Sequence, residues 1–374
     1  MKKVGIITFH AAHNYGSNLQ AYALQNVISD IGLDCEIINF RTERQKDQYR
    51  PITKRKGLKY LIKNAYFLLN YKSRKEKYNR FEEFINSKLR LSQTEYNSLE
   101  DLMTKKPIYD YYISGSDQIW NTAPNDADDA YFLPFVKCGK KIAYAPSFGQ
   151  IGNIKNKDKI AKYLKKYDVL SVREMYGKEL IYELTGIDAP ILPDPTLLLP
   201  KEDWEKLVPR QVFKGDYIFF YTLFADKEMI KVAKQISKNL KMPIVISNIS
   251  NQYEIFSGFK KVRTAGPLEF LSLIYHSKFV CTTSFHGTVF SLVFNKPFFC
   301  VNGLKDNRIS TLLKTVNLAD RAVSKNDVSQ KLKNAMEIDF ESVNIKLSAF
   351  RETGKQFLIS ALEMGDSNDT NLSK

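Results

Sequence analysis

Residues 281–297 read Cys281-Thr-Thr-Ser-Phe-His-Gly-Thr-Val-Phe-Ser-Leu-Val-Phe-Asn-Lys-Pro297. A β-rich pattern from Lys278 to Thr283 runs into the polar turn Ser284-Phe-His-Gly287, and an apolar helical pattern follows at once. His286 therefore lies after the C-terminal end of a strand and at the N-terminal end of a helix. Ligands of open α/β sheets bind at such points, and helix N-termini favour anions. The pattern predicts an α/β fold with a binding site at His286.

The same alternation of strand and helix patterns occurs on both sides of residues 191–200. That segment contains three prolines, which end regular elements and indicate a linker reaching to about residue 214. The first half includes a predicted helix from Leu19 to Ser29 and a predicted strand over Val169–Val172. Alternation in both halves predicts two doubly wound, Rossmann-like domains that face a cleft. We expect an N-terminal α/β domain over 1–200, a C-terminal α/β domain over 215–345, a helix over 346–364 and a disordered tail over 365–374.

Several known site motifs are absent from the sequence. It contains no Walker A motif and no G-x-G-x-x-G, which argues against kinases and NAD-dependent enzymes. Its four cysteines form no C-x-x-C pair and no His/Cys cluster, so we interpret them as reduced thiols and expect no obligatory metal and no cofactor. The apolar run near the N-terminus is about six residues long, too short for a signal peptide. No run approaches the roughly 18 apolar residues of a membrane span, and we expect a cytoplasmic protein.

Basic charge is concentrated in residues 41–90, which contain 16 Lys or Arg against 5 Asp or Glu. The segment thus carries +11 of the net charge of +15, and its pattern predicts a basic helical insertion. Residues 58–70 have the pattern of a basic amphipathic helix, which is typical of anionic membrane surfaces and would place the protein at the inner face of the membrane. An equal alternative is a solvated insertion that packs on its parent domain by an apolar stripe. Nucleic acid is disfavoured as a partner.

Polar residues follow the predicted strands at their C-terminal ends, and facing sheets bring such loops to one cleft. Arg173 and Arg308 fit the role of anion clamps, because guanidinium groups bind carboxylate and phosphate in bidentate fashion. The alternative for Arg173 is an ion pair with Glu174 or Asp194. For Asp117 the alternative is a turn or a helix N-cap. For His286, one of four histidines, it is a buried side chain that hydrogen-bonds a loop.

Six segments, spread over most of the chain, resemble segments of the polysaccharide pyruvyl transferase family. They are Asn14-Tyr-Gly-Ser-Asn-Leu-Gln-Ala-Tyr-Ala-Leu24, Ile113-Ser-Gly-Ser-Asp-Gln-Ile-Trp-Asn121, Ala143-Tyr-Ala-Pro-Ser-Phe-Gly149, Leu170-Ser-Val-Arg-Glu174, Leu192-Pro-Asp-Pro-Thr-Leu-Leu198 and Ser284-Phe-His-Gly287. The resemblance implies a fold similar to that of GT-B glycosyltransferases, which agrees with two facing sheets. It also implies a reaction in which phosphoenolpyruvate gives its pyruvyl group to a pair of sugar hydroxyls. The products are a cyclic ketal and phosphate.

The resemblance also implies roles for individual residues. The family has an arginine where this chain has Arg173, and an Arg-x-His motif where it has Ser284-Phe-His286. Serine thus replaces an arginine at position 284, and we expect Arg308 or Lys305 to supply the missing charge. We predict His286 as general acid or donor-phosphate partner, and Asp117 or His13 as the acceptor base. The predicted donor-binding residues are Arg173, Ser284, Gly287, Thr288 and Arg308, and the predicted acceptor-binding residues are Asn14, Ser17, Asn18, Ser116 and Gln118.

The expected substrates are phosphoenolpyruvate and a cell-surface polysaccharide or its lipid-linked oligosaccharide precursor. Two other functions are compatible with the residues. One is a GT-B glycosyltransferase that uses a nucleotide sugar. The other is a non-catalytic protein for glycan binding or assembly, an alternative that the serine at position 284 keeps open.

Overall fold

A computed structural model describes residues 2–52, 57, 68, 70–123, 127–149, 154–247 and 252–363 of the 374-residue chain. The amphipathic helix predicted over 58–70 lies outside the described residues, apart from positions 68 and 70. The predicted tail over 365–374 lies outside them entirely.

The first half of the chain builds a parallel sheet. Its strands are Lys3–Ile7 (β1), Asp34–Phe40 (β2), Leu91–Tyr96 (β3), Tyr111–Ser114 (β4) and Lys140–Ala143 (β5). The described strands pair in the order β3-β2-β1-β4-β5. The helices are Tyr15–Asp30 (α1), Glu43–Tyr49 (α2), Tyr71–Lys88 (α3), Leu99–Lys105 (α4), Lys157–Leu164 (α5), Met175–Thr185 (α6) and Lys201–Glu205 (α7). All four residues of β4 are buried, as expected for a parallel sheet covered on both faces.

The second half builds another parallel sheet. Its strands are Ile218–Tyr221 (β6), Ile244–Ile246 (β7), Lys260–Lys261 (β8), Phe279–Thr282 (β9), Phe298–Val301 (β10) and Ala322–Val323 (β11). The described strands pair in the order β11-β10-β9-β6-β7-β8. The helices are Lys227–Leu240 (α8), Gln252–Ile255 (α9), Pro267–Tyr275 (α10), Phe285–Val293 (α11), Asn307–Thr315 (α12), Val328–Lys331 (α13) and Phe340–Glu363 (α14). The two parallel sheets with their helices confirm the predicted fold class.

Short 3₁₀ turns complete the described secondary structure, at Asp129–Phe132, Pro195–Leu197, Gly303–Lys305, Ala319–Arg321 and Leu332–Asn334. Within the described part of the chain, no helix is long and apolar enough to span a membrane.

Three predicted elements differ from the observed ones. Helix α1 begins at Tyr15 rather than Leu19, because Asn14 Oδ1 accepts hydrogen bonds from the N–H groups of Gly16 and Ser17 and so caps an earlier first turn. The strand predicted over Val169–Val172 is wrong, since this segment makes only isolated bridges to Ile142 and Ile191. The final helix begins at Phe340 rather than at residue 346.

Aromatic contacts join the two halves. Tyr15 of α1 stacks on Phe270 of α10, with ring centroids 4.7 Å apart. Trp204 of α7 packs edge-on against Phe290 of α11 at 4.9 Å. Helix α14 then returns to the first sheet, where its Ala361 carbonyl accepts a hydrogen bond from Lys140 Nζ at 2.8 Å. These contacts hold the two halves of the chain together.

The basic segment packs on α1 and α10 through α3. Phe81, Phe84 and Ile85 of this helix are buried in the core. This arrangement agrees with the packing alternative for residues 41–90, as far as α3 is concerned. Of its charged side chains, Glu82 pairs with Arg41 of the first half and Arg80 pairs with Glu269 of the second half.

Candidate active site

Two helix N-termini meet at His286. The residue lies in the first turn of α11, just after β9, and its ring is buried with 6% of its surface exposed. Gly16 lies in the first turn of α1, which follows β1. A Cβ atom at Gly16 would overlap the ring of His286 at Nδ1, Cγ and Cε1. The absence of a side chain at position 16 therefore decides where the His286 ring can sit.

Replacing Gly16 by alanine tests this contact. We expect Gly16→Ala to destabilise the protein by about 1–3 kcal/mol, the usual effect of overpacking, even though alanine favours helix. In a His286→Ala background the ring is gone, so the same change should destabilise by about 0.5 kcal/mol or less. Urea unfolding of the four proteins measures both values. An equal effect in the two backgrounds would show that the ring does not occupy this space.

Asp194 connects His286 to Arg173. Its Oδ2 atom accepts a hydrogen bond from Arg173 Nη1 and lies 3.6 Å from His286 Nε2. Its Oδ1 atom accepts from the N–H (3.0 Å) and the hydroxyl (2.6 Å) of Thr196. Burial alone would raise the pKa of Asp194, but His286, Arg173 and Thr196 hold it well below its usual range. The site thus contains an ionised carboxylate, and the ion pair between Arg173 and Asp194 is the one that the sequence left open.

Arg173 keeps unused hydrogen-bond donors. Its side chain is 1% exposed, yet among the described residues neither Nε nor Nη2 has a hydrogen-bond partner. Asp117 Oδ1 lies 3.7 Å from Nη2, which is too long for a hydrogen bond. Buried donors without partners are unfavourable, and guanidinium groups bind oxyanions well. This part of the site fits an anionic ligand.

Arg308 reaches the same place from α12. The ring of Phe285 lies between the two arginines, 4.7 Å from Arg173 Cζ and 5.8 Å from Arg308 Cζ. Both arginines and Asp194 line one small cavity. Arg308 donates from Nε (3.0 Å) and Nη2 (2.5 Å) to Asp306, and this carboxylate raises its pKa against the opposing effect of burial. Of the two cations expected to compensate for Ser284, Arg308 is therefore at the site, whereas Lys305 is exposed.

Glu174 is a member of the site that the sequence does not identify. It is fully buried at the start of α6. Its Oε1 atom accepts from the Phe148 N–H at 3.0 Å, and its Oε2 atom has no hydrogen-bond partner in the described part of the chain. Burial raises its pKa to about 7, although Arg173 and Arg308 oppose this. Glu174 differs from an exposed ion-pair partner of Arg173 only by its burial. The burial of one charged residue cannot be predicted from the sequence.

Asp117 brings the loop after β4 into the site. Its Oδ2 atom accepts from the Ser17 hydroxyl at 2.5 Å, and its Oδ1 atom accepts from the Gln118 N–H at 2.8 Å. Its backbone has a positive φ of 73°. The structure therefore brings together Asp117, Ser17, Arg173 and His286, four residues that the sequence predicted.

His13 lies elsewhere, although it was also a predicted base. Its Nε2 atom is 2.7 Å from Glu82 Oε1, and its ring stacks on Phe81 with centroids 4.9 Å apart. Burial lowers the pKa of His13 against the opposing effect of Glu82. In the described contacts, His13 belongs to a cluster with Glu82 and Arg41.

The remaining predicted residues use their polar groups within the loops. Asn14 caps α1, Asn18 Nδ2 donates to the His10 carbonyl, Ser116 Oγ donates to the Ala145 carbonyl, Gln118 Oε1 accepts from Asn121, and Thr288 Oγ1 donates to the Ser284 carbonyl. Ser284 is the N-cap residue of α11, and its side chain makes no capping hydrogen bond. A side chain at Gly287 would overlap Thr282. Ligand binding by these residues stays a prediction.

Comparison with known proteins places this site in context. The family model described as Polysaccharide pyruvyl transferase matches residues 14–303. No curated protein matches the chain. Among solved structures, UDP-N-acetylglucosamine 2-epimerase from Rickettsia bellii is similar at 11% identity and a TM-score of 0.52, over 97% of this chain and 96% of that one. UDP-GlcNAc 2-epimerase from Neisseria meningitidis, bound to UDP-GlcNAc, is similar at 8% identity and a TM-score of 0.53, over 97% and 99%. These likenesses establish the GT-B-like arrangement of the two sheets.

Proposed function

The chain belongs to the polysaccharide pyruvyl transferase family, and from this membership we propose that it transfers the pyruvyl group of phosphoenolpyruvate to two hydroxyls of a glycan. The products are a cyclic pyruvate ketal and phosphate. One observation carries the proposal: the buried Arg173 has two nitrogen atoms without described partners, and it lies beside the pair of His286 and Asp194.

The charge of the donor matches the charges of the site. Phosphoenolpyruvate carries a carboxylate and a phosphate, and Arg173 and Arg308 offer two cations around one cavity. The N-terminus of α11 adds a partial positive charge. Because arginines supply this charge, we propose that the reaction needs no metal. The cavity has a volume of only about 10 Å³, so donor binding requires the Phe285 ring or the Arg308 side chain to move.

The reaction requires balanced proton transfers. One sugar hydroxyl adds to C2 of the donor while C3 gains a proton, and the second hydroxyl then displaces phosphate. The first hydroxyl thus loses a proton as the new methyl group gains one. The proton of the second hydroxyl is taken up by the departing phosphate or by the acceptor base. We assign the proton donor to His286, whose Nε2 atom lies 3.6 Å from Asp194 Oδ2 and beside the donor-binding arginines. We assign the acceptor base to Asp117, which Ser17 orients.

The acceptor is proposed to be a surface polysaccharide or its lipid-linked precursor. Basic residues of 41–90 would favour its approach from an anionic membrane surface.

Donor binding is the first test of this function. We expect millimolar phosphoenolpyruvate, in buffer with EDTA, to raise the unfolding temperature of the full chain. At 100 times the dissociation constant the stabilisation is about 2.7 kcal/mol, which corresponds to several degrees. Arg308→Ala removes a charge-assisted contact of about 1.5–3 kcal/mol, so it should weaken donor binding roughly 10- to 100-fold. Lys305→Ala, an exposed cation in the 3₁₀ turn just before α12, serves as the matched control.

Thermal unfolding would contradict the proposal if UDP-N-acetylglucosamine stabilised the protein and phosphoenolpyruvate did not. That outcome would favour the nucleotide-sugar glycosyltransferase. Stabilisation by neither donor would favour the binding protein.

A further inference from the structure

A second cavity, of about 200 Å³, lies between the basic segment of the first half and the second sheet. This volume far exceeds the roughly 10–15 Å³ that one water molecule needs. Tyr49 of α2 and Lys77 of α3 line one side, and Ser247 and Arg263 line the other. Ser247 follows β7, and Arg263 follows β8. The cavity therefore opens at the C-terminal ends of strands, where open α/β sheets bind their ligands.

The charge around this cavity is unbalanced. Its described lining includes the cations Arg74, Lys77 and Arg263 but no carboxylate. Neighbouring cations are neutralised, since Arg41 pairs with Glu82 and Arg80 pairs with Glu76 and Glu269. Among the described residues, by contrast, no carboxylate pairs with Lys77 or Arg263. Positive charge without a protein counterion, on both sides of a cavity, points to an anionic ligand.

Ser247 supplies an independent indication. Its side chain is 1% exposed, and its hydroxyl has no hydrogen-bond partner within the described residues. Buried hydroxyl groups in proteins are normally hydrogen-bonded. A ligand oxygen in the cavity would satisfy this group.

The cavity adjoins the candidate active site. Lys77 Nζ lies 5.1 Å from the centre of the Tyr15 ring, and His13 lines the cavity wall. His13 and Tyr15 belong to the loop and the first turn of α1 that lead to Gly16. Gly16 in turn contacts the His286 ring. A long substrate can therefore have one group in the cavity and another at His286.

We propose that this cavity binds a phosphate or diphosphate group of the acceptor, so that the acceptor is a phosphorylated glycan. The cations Lys77 and Arg263 match the charge of a diphosphate better than that of a single carboxylate, and the hydroxyl of Ser247 adds a donor. The identity of the ligand as acceptor rests on the proposed function, whereas the anion site itself does not. Free phosphate, which the proposed reaction releases, has the same chemistry, and the test must separate these two sources.

Binding of inorganic pyrophosphate to the full chain, measured by calorimetry beside inorganic phosphate, tests this site. We expect Lys77→Ala and Arg263→Ala each to weaken pyrophosphate binding about tenfold or more, with both variants folded, because neither cation makes an ion pair with another described residue. Lys72→Ala, an exposed cation on the same helix as Lys77, should bind as the wild type does. Pyrophosphate that binds at least about tenfold more tightly than phosphate supports a diphosphate-bearing acceptor. Equal binding overturns that assignment in favour of a site for released phosphate.

Phosphoenolpyruvate binding to the same variants separates this inference from the proposed function. Unchanged pyrophosphate binding in both Lys77→Ala and Arg263→Ala overturns the anion site, even if phosphoenolpyruvate still stabilises the protein. Pyrophosphate binding that depends on Arg263 supports the site, even if phosphoenolpyruvate fails to bind and the proposed reaction falls.

Discussion

Replacing His286 by glutamine is expected to lower the turnover of pyruvyl transfer by about 10²–10⁴-fold, the usual contribution of a general acid or base. Glutamine fills a similar volume and forms hydrogen bonds, but it cannot carry a proton at neutral pH. The ion pair of Arg173 with Asp194 remains, so the fold and the donor-binding cations are retained. Phosphate release from phosphoenolpyruvate in the presence of a glycan acceptor measures the effect. Donor binding, followed by thermal unfolding, should change far less than turnover.

His276→Gln is the matched control for this variant. His276 lies in the same half of the chain, and its Nδ1 atom is 3.0 Å from the Ser272 carbonyl oxygen. It makes no described contact with Asp194 or Arg173, and its loss should leave turnover unchanged. If His286→Gln kept more than about a tenth of the wild-type turnover, His286 would not be the proton donor.

Three of the site residues that could be predicted from sequence share one property. His286, Asp117 and Ser17 each follow a strand of a parallel sheet, and a strand-helix alternation therefore predicts that they gather at one edge. Asp194 has no such strand before it. It lies between Pro193 and Pro195, a position that favours a purely structural role, and only tertiary packing brings it to both Arg173 and His286.

Two strand assignments also show where the sequence pattern fails and tertiary packing determines the structure. Strand β3 has the sequence Leu-Ser-Gln-Thr-Glu-Tyr, and its polar residues conceal a strand at the sheet edge. Val169–Val172 has the apolar pattern of a strand, but it runs beyond β5 with too few pairings to form one. At the edge of a sheet a strand pairs on one side only. A polar segment can therefore be a strand there, and an apolar segment can lie there without forming one.

The raised pKa of Glu174 leads to a second large effect, on stability rather than on turnover. Its pKa is about 7 in the folded protein, against an ordinary value of 4.5, since burial disfavours the charged form. Between these two values the folded state holds a proton that the unfolded state has released. The unfolding free energy therefore falls as pH rises from about 4.5 to about 7, and the loss amounts to about 3 kcal/mol. Below that window the contribution of this group to stability is fully present.

Glu174→Gln should remove this dependence on pH, because an amide does not ionise. Its Oε1 atom can still accept the hydrogen bond from the Phe148 N–H that Glu174 Oε1 accepts at 3.0 Å. Relative to the wild type, the variant should therefore gain about 2.5 kcal/mol of unfolding free energy between pH 5 and pH 8. Urea unfolding at several pH values measures this gain, and the other titrating groups cancel because both proteins contain them. Glu179→Gln, an exposed position on the same helix, should show no gain. Parallel stability curves for Glu174→Gln and the wild type would contradict this prediction. They would mean that Glu174 is ionised throughout this pH range, and that its negative charge neutralises part of the charge of Arg173 and Arg308.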